Sequence, residues 1–409
     1  MARSELVVAL DIGTTKVCTL VAEVSGEDQI DILGLGTAPS TGMRKGVVVD
    51  IPATAAAIRD SVEAAGRASG VHIASVYVGI TGEHIESFNS RGSVAVTQEI
   101  TEQDAYQARL NARKVLPTDR EVLHNIPRQY IVDGQEGVRH PVGMSATRLE
   151  VETHVVTAST SFVENVVKCV QRARLQIEEI VVEPYATGLA VLTDAERQLG
   201  VALADIGGGT TDVALFEDGV ITHTTVIPVG GNHVTNDLAV AFRLSPEDAE
   251  RVKIHHGAAR REDVDAREYV EMQMIGEAAA REVPRRLLPQ IIEPRMEELF
   301  ALLKEHIRKA ADDGVYVNSC VLSGGGSQLA GSAELAGRVL ELPVRVGRPR
   351  DVIDPRGLVD SPVYATGVGL VNFAAARVPT RRRAKEPRSL PAAAIATLLS
   401  WLRPRKRHR

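Results

Sequence analysis

The sequence has few of the residues that mark secreted or membrane-spanning proteins. Only three cysteines occur among 409 residues, and the apolar neighbours and unpaired spacing of Cys18, Cys169 and Cys320 predict reduced, buried thiols. No run of eighteen apolar residues is present, so a transmembrane helix is not expected. A signal peptide is not expected either, because Arg3 and Glu5 are followed at once by a strand and a loop. These features predict a cytosolic protein.

Positive charge is scarce over most of the chain and dense at its end. Residues 377–409 contain eleven Arg and Lys against one acid, Glu386, which gives +10. The whole chain has 47 basic and 53 acidic residues, so the other residues carry 36 against 52, or −16. With 44% hydrophobic and 24% charged residues, the composition is typical of a soluble chain of two or more domains. The tail is a separate electrostatic unit.

An apolar run that ends in an aspartate and a glycine-containing turn occurs twice. The first copy is VVALDIGTTKV at residues 7–17, and the second is LADIGGGTTD at residues 203–212. Glycine lets the backbone approach an anion and threonine adds hydroxyl donors, so both turns are candidate phosphate sites. One such turn is equally typical of an ordinary β-hairpin, whereas two matched copies indicate two related subdomains that clamp one nucleotide. The candidate phosphate ligands are Gly13, Thr14, Thr15, Lys16, Gly207, Gly208, Gly209, Thr210 and Thr211.

Acidic residues beside these turns indicate a cation. Carboxylates cannot ligate phosphate, but Asp11 and Asp205 could hold a hydrated Mg²⁺ between themselves and the phosphates. Lys16 lies within the first turn, where its ammonium would face the phosphates. A solvated surface lysine is the alternative for this residue.

The two turns resemble the phosphate 1 and phosphate 2 motifs of the superfamily of actin, sugar kinases and heat-shock chaperones. A third motif, VLSGGGSQLAG at residues 321–331, resembles the segment that lies against the adenosine in that superfamily. Residues 183–190 and 364–371 resemble the two small-residue helices that cross at its hinge. The resemblance implies an α/β fold, with actin-like, ribonuclease-H-like duplicated domains around a cleft for ATP and Mg²⁺. In the third motif it implies contacts from Gly324, Gly325, Gly326 and Gln328.

The resemblance also assigns residues to catalysis and to the ribose. Glu183 stands where the superfamily positions the attacking water, and Asp205 is the second catalytic candidate. A helix-capping role is the alternative for Glu183. Glu250 and Lys253 resemble the Glu-x-x-Lys pair that the chaperone branch uses on the ribose, and a surface ion pair is the alternative there. With a single water-positioning candidate, ATP hydrolysis is expected to be slow at most.

Residues 85–162 differ from actin and narrow the resemblance to one family. The capping box TEQD at 101–104 opens a helix toward Leu116, and strands are predicted around residues 93–96, 121–125, 129–132 and 149–156. This pattern predicts a compact βαβ-type insert. Three of its segments are similar to the small extra subdomain of the bacterial cell-division FtsA family, at residues 126–137, 141–144 and 148–154.

The insert is interpreted as a contact surface and not as a metal site. His124, His140 and His154 have no metal-ligand spacing. In the FtsA family the insert supports head-to-tail filament contacts and contacts with other division proteins. The helical subdomain predicted at residues 260–310 bears the contact with the FtsZ C-terminal tail in that family, and Arg285, Arg286 and Arg295 are basic candidates for an acidic partner.

The resemblance implies a division of the chain into actin-like subdomains. Residues 377–388 have no apolar period and two prolines, which predicts a disordered basic linker. The other predicted parts are subdomain 1A at 1–84, 163–192 and 354–376, the inserted subdomain 1C at 85–162, subdomain 2A at 193–230 and 310–353, subdomain 2B at 231–309, and a membrane-targeting amphipathic helix with a basic tail at 389–409.

The last segment predicts a weak membrane anchor. Ser389 and Pro391 open a short helix with one apolar stripe and a dense basic end. A docking peptide or a nucleic-acid tail is the alternative, but neither needs an apolar stripe beside the charge. On anionic lipid the stripe enters the interface and each cation adds about 1 kcal/mol, so stable attachment would need many copies linked in a polymer. The predicted contacts are Ile395, Leu398, Leu399, Trp401, Leu402, Arg403, Arg405, Lys406 and Arg407.

The sequence therefore predicts an actin-like ATP-binding cell-division protein of the FtsA family. We expect it to polymerise on the cytoplasmic side of the membrane, to tether FtsZ filaments there and to help recruit later division proteins, without binding nucleic acid. A pilus-assembly ATPase of the same shape is the alternative, and it would be expected to lack the basic tail. A sugar kinase would need a further carboxylate base, and a chaperone would need a substrate domain where few residues remain.

Overall fold

The computed structural model describes residues 4–25, 29–113, 117–277 and 279–378. The predicted linker beyond Val378 and the predicted membrane helix lie outside the described residues. The strands are β1 (Glu5–Ile12), β2 (Lys16–Ser25), β3 (Gln29–Pro39), β4 (Met43–Arg44), β5 (Val47–Val48), β6 (Ser75–Ile80), β7 (Ile85–Ala95), β8 (Arg120–Val132), β9 (Gln135–Val138), β10 (Arg148–Ser159), β11 (Gln176–Val182), β12 (Val201–Ile206), β13 (Thr211–Glu217), β14 (Val220–Ile227), β15 (Tyr269–Met272), β16 (Arg281–Pro284), β17 (Ser319–Ser323) and β18 (Val344–Val346). The α-helices are α1 (Ile51–Ser69), α2 (Glu102–Ala112), α3 (Thr160–Arg172), α4 (Glu183–Val191), α5 (Asp194–Leu199), α6 (Gly231–Phe242), α7 (Pro246–His256), α8 (Leu288–Asp312), α9 (Ser332–Leu340) and α10 (Ala365–Ala375).

Two five-stranded sheets of the same design form two lobes. The first lobe has the strand order β11-β6-β1-β2-β3, and the second lobe has the order β14-β13-β12-β17-β18. In each sheet three strands form an antiparallel meander, and two further strands lie parallel to its first member. The turns that follow β1 and β12 therefore lie at the carboxyl edges of the parallel strands, where α/β sheets bind ligands.

The two lobes meet at the crossing of α4 and α10, which the small-residue runs predicted. A Cβ atom at Gly369 of α10 would lie 1.9 Å from the backbone oxygen of Ala186 in α4, so only glycine fits at the crossing. Thr187 of α4 and Thr366 of α10 are also buried, and their hydroxyl oxygens are 3.1 Å apart. Close backbone contact thus holds the hinge.

The inserted subdomain is a four-stranded sheet with the order β7-β10-β8-β9, covered by α2. Strands β7 and β8 both pair antiparallel with β10, so the unit β7-α2-β8 is a βαβ arrangement with β10 between its strands. The predicted capping box is present, because the Thr101 hydroxyl accepts from the Asp104 backbone at 3.2 Å and Asp104 accepts from the Thr101 backbone at 2.9 Å.

The strand predictions within the insert were wrong in extent. The runs at 121–125 and 129–132 belong to one strand, β8, although Pro127 lies inside it. Pro127 opposes Thr153 and Gln129 opposes Glu152, so the proline lies at a bulge, where its missing N–H is tolerated. The run at 93–96 is the end of the longer strand β7, whose polar residues hid it from a hydrophobic pattern.

Residues 260–310 are less helical than predicted. Strands β15 and β16 form a small hairpin before the long helix α8. The apolar face of α8 is buried as predicted, including Ile292, Met296 and Leu299. Arg295 is paired with Asp237 at 2.7 Å, and Arg285 donates to the backbone oxygen of His256 at 2.9 Å, so both guanidinium groups have acceptors within the chain. That they contact an acidic partner stays a prediction.

The three cysteines are buried free thiols, as the sequence predicted. Burial raises the pKa of Cys18 and of Cys320 to about 12. Within the described part of the chain, no helix is long and apolar enough to cross a membrane.

The last described residues fasten the chain to the first lobe. The Arg377 guanidinium lies 3.5 Å from the centre of the Phe373 ring, and its Nε is 2.9 Å from Glu179 on the edge strand β11. These two contacts fix Arg377 on the first lobe.

The crossing of α4 and α10 makes a testable prediction. Gly369→Ala should lower the free energy of unfolding by about 1–3 kcal/mol, because the added methyl group must push the two helices apart. Gly367→Ala on the same helix is the matched control, since its Cβ would find its nearest neighbour 4.0 Å away, at Cys18 Sγ. Urea unfolding measures both variants. Equal stability of the two variants would contradict the close-packed hinge.

Candidate functional site

A cleft of about 640 Å³ lies between the two lobes. The turns after β1 and β12 face each other across it, and the turn after β17 and helices α6 and α7 close its second side. The residues predicted from sequence that line the cleft are Asp11, Gly13, Thr14, Thr15, Lys16, Glu183, Asp205, Gly207, Gly208, Thr210, Glu250, Lys253, Gly324, Gly325, Gly326 and Gln328. Segments from five parts of the chain thus converge on one cavity.

Two predicted phosphate ligands do not line the cleft. The Thr211 hydroxyl donates to the backbone oxygen of Val229 at 2.8 Å, so it stabilises the lobe instead. Gly209 faces the first lobe, where a Cβ atom would lie 2.8 Å from the Thr14 hydroxyl and 3.0 Å from Lys45 Cα. The motif identified the turn correctly but could not show which way each residue faces.

The two glycine turns are closed by the same backbone bond. The Gly13 amide donates to the Lys16 carbonyl at 3.0 Å, and the Gly207 amide donates to the Thr210 carbonyl at 2.9 Å. Gly208 approaches the first turn so closely that a Cβ atom there would lie 2.5 Å from Thr15 Cγ2. Glycine is required at this position because the two turns are in contact.

Helix α6 supports the second turn from below. The amides of Gly231 and Asn232 donate to the carbonyls of Gly207 and Gly208 at 2.9 and 2.8 Å. The turn is therefore fixed to a helix N-terminus, and the dipole of that helix favours an anion nearby although these two amides are already paired.

Lys16 is not a solvated surface lysine. Its ammonium donates to the Val363 carbonyl at 2.7 Å and lies 4.2 Å from the centre of the Tyr364 ring. It lines the cleft within reach of Asp11, whose pKa it lowers against the larger effect of burial. A cation thus stands at the wall of the cleft beside its acidic floor.

Four buried carboxylates converge at the floor of the cleft: Asp11, Glu183, Asp205 and Asp212, each at most 7% exposed. Asp205 Oδ2 accepts from the Thr187 hydroxyl at 2.7 Å and from the Thr366 hydroxyl at 3.1 Å. One of these threonines comes from each hinge helix. Asp205 therefore ties the second turn to the crossing of the two lobes.

Burial raises the pKa of every one of these carboxyls. The pKa of Asp11 rises to about 6 and that of Asp212 to about 8, although the Thr81 hydroxyl, which donates to Asp212, opposes the second shift. Burial is also the main cause for Glu183, whose pKa lies well above its usual value, and nearby Asp11 adds to it. Like charges this close cannot all ionise without a compensating cation.

The donors suit a hydrated cation better than a directly ligated one. Among the described residues, no group of three or more His, Cys, Asp or Glu side chains is arranged to hold a metal ion directly. Asp11 and Asp205 nevertheless lie in one cleft, and Asp205 raises the pKa of Asp11. Acidic oxygens around a cavity with room for water are the environment that Mg²⁺ prefers.

Glu183 is the first residue of α4, but its side chain makes no capping bond there among the described residues. Its Oε1 atom is buried and has no hydrogen-bond partner among the residues that the structure describes. A buried carboxyl oxygen without a partner is costly and indicates an incomplete site. This placement disfavours the capping alternative.

Glu250 and Lys253 form an ion pair and also lie in the cleft, so both interpretations of the pair agree with the structure. The Lys253 ammonium is 2.7 Å from Glu250 Oε2, so they form an ion pair, and both also line the cleft. Lys253 further donates to the Thr235 hydroxyl at 2.9 Å, and Thr235 donates to Glu250. The pair is held in a network that faces the cavity.

The turn after β17 packs against the base of the second turn. Gly324 has a φ of +75°, and a Cβ atom there would lie 2.2 Å from Asp205 Oδ1. Glycine is thus required twice over, by its left-handed backbone and by the carboxylate. The Gln328 amide oxygen accepts from the Ser361 hydroxyl at 3.3 Å, which fixes this segment to the chain that leads into α10.

Sequence reasoning missed several residues of the cleft. Thr81 follows β6 in the run Gly79-Ile-Thr-Gly82, and its bond to Asp212 spans 131 residues. Arg285, selected only as a basic candidate for an acidic partner, also lines the cleft. The signal for Thr81 was its place after a buried strand that ends at glycines. Further lining residues that were not selected are Asp212, Asn232, His255, Met296, Leu329, Val363 and Thr366.

Comparison with solved structures identifies the fold. The chain superposes on the PilM–PilN type IV pilus biogenesis complex with a TM-score of 0.65 at 17% identity, covering 90% of this chain and 98% of the other. It superposes on MreB5 of Spiroplasma citri bound to ADP with a TM-score of 0.52 at 15% identity, covering 93% and 99%. The expected α/β, actin-like fold is confirmed.

Comparison of sequences identifies the family. Residues 202–369 match the model of cell division protein FtsA, and residues 82–157 match the SHS2 domain inserted in FtsA. The chain is 42% identical to cell division protein FtsA of Pseudomonas aeruginosa, over 90% of this chain and 89% of the relative. It is 38% identical to that of Escherichia coli K12, over 90% of each. The chain belongs to the FtsA family of cell division proteins.

Proposed function

We propose that this protein binds ATP with Mg²⁺ between its lobes, polymerises on the cytoplasmic face of the membrane, tethers FtsZ filaments there and helps recruit later division proteins. The observation that carries the nucleotide part is the facing pair of glycine turns above four buried carboxylates. Two solved structures of similar fold, MreB5 bound to ADP and MreB5 bound to AMPPNP, support the same ligand class.

The roles of the residues follow from their places in the cleft. The backbone of the two turns, with Thr14, Thr15, Thr210 and Lys16, would hold the phosphates. Asp11 and Asp205 would hold the waters of Mg²⁺, which supplies the positive charge that the buried carboxylates lack. Glu183 would orient a water toward the terminal phosphate, and slow hydrolysis at most is expected.

The tether rests on the tail and on the family. The basic segment and apolar stripe of residues 377–409 fit an anionic lipid surface, and membership of a cell-division family supports FtsZ, through its C-terminal tail, as partner. Because one such helix binds weakly, self-association into a filament would provide the avidity that attachment needs. The protein would thus act as a peripheral membrane protein at the division site.

The role of Asp205 predicts how Mg²⁺ affects ATP binding. In the wild type, Mg²⁺ should tighten ATP binding. Asp205→Asn should weaken ATP binding in the presence of Mg²⁺ about tenfold, which corresponds to roughly 1.4 kcal/mol. Titration calorimetry with and without Mg²⁺ measures this difference. Asp60→Asn, at an exposed position on α1, is the control and should behave as wild type. An Asp205→Asn protein with a full Mg²⁺ effect would contradict the assignment.

The raised carboxyl pKa values predict proton release on binding. At pH 7 the pKa of about 8 keeps Asp212 largely protonated, and a nearby Mg²⁺ favours the ionised form and so lowers that pKa. Binding of ATP and Mg²⁺ at pH 7 should therefore release protons, and the observed enthalpy should vary with the ionisation enthalpy of the buffer. Asp212→Asn should reduce this variation. No buffer dependence in the wild type would refute the prediction.

The tail predicts binding to anionic lipid. Full-length protein should sediment with anionic but not neutral liposomes and should carry FtsZ into the pellet. A chain that ends at Ala376 should stay in solution. Leu398→Glu should abolish sedimentation because it places a charge in the apolar stripe, whereas Thr397→Glu adds the same charge on the opposite face and should reduce it only slightly.

Two results would contradict the tether. Sedimentation of both the full chain and the shortened chain would place the lipid contact outside the tail. If neither chain sediments, the tail is not an anchor, and the pilus-assembly or enzymatic alternatives gain support.

A further inference from the structure

The inserted subdomain contacts both lobes, by two different kinds of interface. Its root in the first lobe is apolar, because Ile85, Val156 and Ala158 are at most 5% exposed within the core of that lobe. Its contact with strand β14 of the second lobe is mostly polar. We call this contact the seam, and it consists of Ser87, Asn89, Arg139 and His154 of the insert, with Gln198, Asp218, Thr222 and Thr224 of the second lobe.

In the seam, side chains of the insert form hydrogen bonds with backbone groups at the edge of the second lobe's sheet. Strand β14 is an edge strand, and its outward backbone groups have no neighbouring strand to pair with. Ser87 accepts from the Thr224 amide at 3.2 Å and donates to the Thr224 carbonyl at 2.8 Å. Asn89, two residues further on β7, donates to the Thr222 carbonyl at 3.2 Å. Alternate side chains of β7 thus take the place of a sixth strand.

Two further contacts strengthen the seam, one at its centre and one at its end. His154, 1% exposed, lies 3.0 Å from Asn89 and 2.8 Å from the Thr224 hydroxyl. Arg139 donates to the Asp218 carbonyl at 2.7 Å and to Gln198 at 3.2 Å. Bonds of this kind can be exchanged for water at low cost, whereas the apolar root cannot open without exposing its core.

The seam is connected to the cleft through one strand pair. Strand β13 begins at the second glycine turn, where Asp212 opposes Val226 of β14. Two residues along β13, Ala214 opposes Thr224, the centre of the seam. A change in the position of the turn therefore reaches the seam through two paired strands. In this structure the seam is formed while the two glycine turns are in contact, so the closed cleft and the docked insert occur together.

We infer that the seam couples nucleotide in the cleft to docking of the inserted subdomain on the second lobe. Nucleotide that draws the two turns together stabilises the docked seam, and by linkage the docked seam tightens nucleotide binding. The free state would be the one in which the insert is held by its apolar root alone. This inference rests on the proposed nucleotide function of the cleft.

The test uses the full-length protein and one serine-to-alanine pair. Ser87→Ala removes both bonds to Thr224, while Ser93→Ala changes an exposed serine on the same strand. We expect Ser87→Ala to raise amide hydrogen exchange in β14 about tenfold and to weaken Mg²⁺·ATP binding at least about fivefold, the lower range of coupling between sites. Ser93→Ala should match the wild type in both. In the wild type, Mg²⁺·ATP should slow exchange in β14.

A second variant keeps the outcome clear if Ser87→Ala is unstable. Asn89 is exposed, so Asn89→Ala should fold and should shift exchange and affinity in the same directions. Amide exchange could rise in both variants while their affinity for ATP equals that of Ser93→Ala. In that case the seam is a static contact, and the inference fails although the proposed nucleotide function stands. If the wild type does not bind ATP at all, the proposed function fails, and the inference with it.

Discussion

The interaction on which the rest of this structure depends is the burial of Asp205 between the two hinge helices. Its carboxylate accepts from Thr187 and Thr366, one hydroxyl from each helix, and it forces glycine at position 324. A single acidic side chain therefore links the second turn, the third motif and the crossing of the lobes. Burial raises the pKa of Asp205 despite these bonds. The same residue therefore affects both the stability of the fold and the charge of the cleft.

Local patterns predicted the parts of the site that are local. An apolar run, an aspartate and a glycine turn together specify a strand, a carboxylate at its end and a close-approaching backbone, and both copies fold so. Capping boxes could be predicted equally well because their contacts lie within a few residues. The small-residue helices could be predicted because close packing requires only small side chains. The sequence could place Asp11, Lys16 and Gly208 in the cleft for this reason.

The remaining residues could not be predicted because their partners are distant. Thr81 meets Asp212 across 131 residues, and no periodicity contains that pairing. Thr211 faces Val229, and Gly209 faces Thr14 and Lys45, which are neighbours that the motif does not contain. The polar face of β7 concealed a strand because its side chains bond to β14 instead of to solvent. Pro127 concealed the continuity of β8 because a bulge accommodates it.

Arg377 has a mechanical consequence. Its guanidinium lies over the ring of Phe373 of α10 and is paired with Glu179 of β11, so this residue is fastened both to a hinge helix and to a sheet edge. A pulling force applied beyond this point would meet the contacts of Arg377 before it reached α10, so part of the load would pass to the edge of the five-stranded sheet.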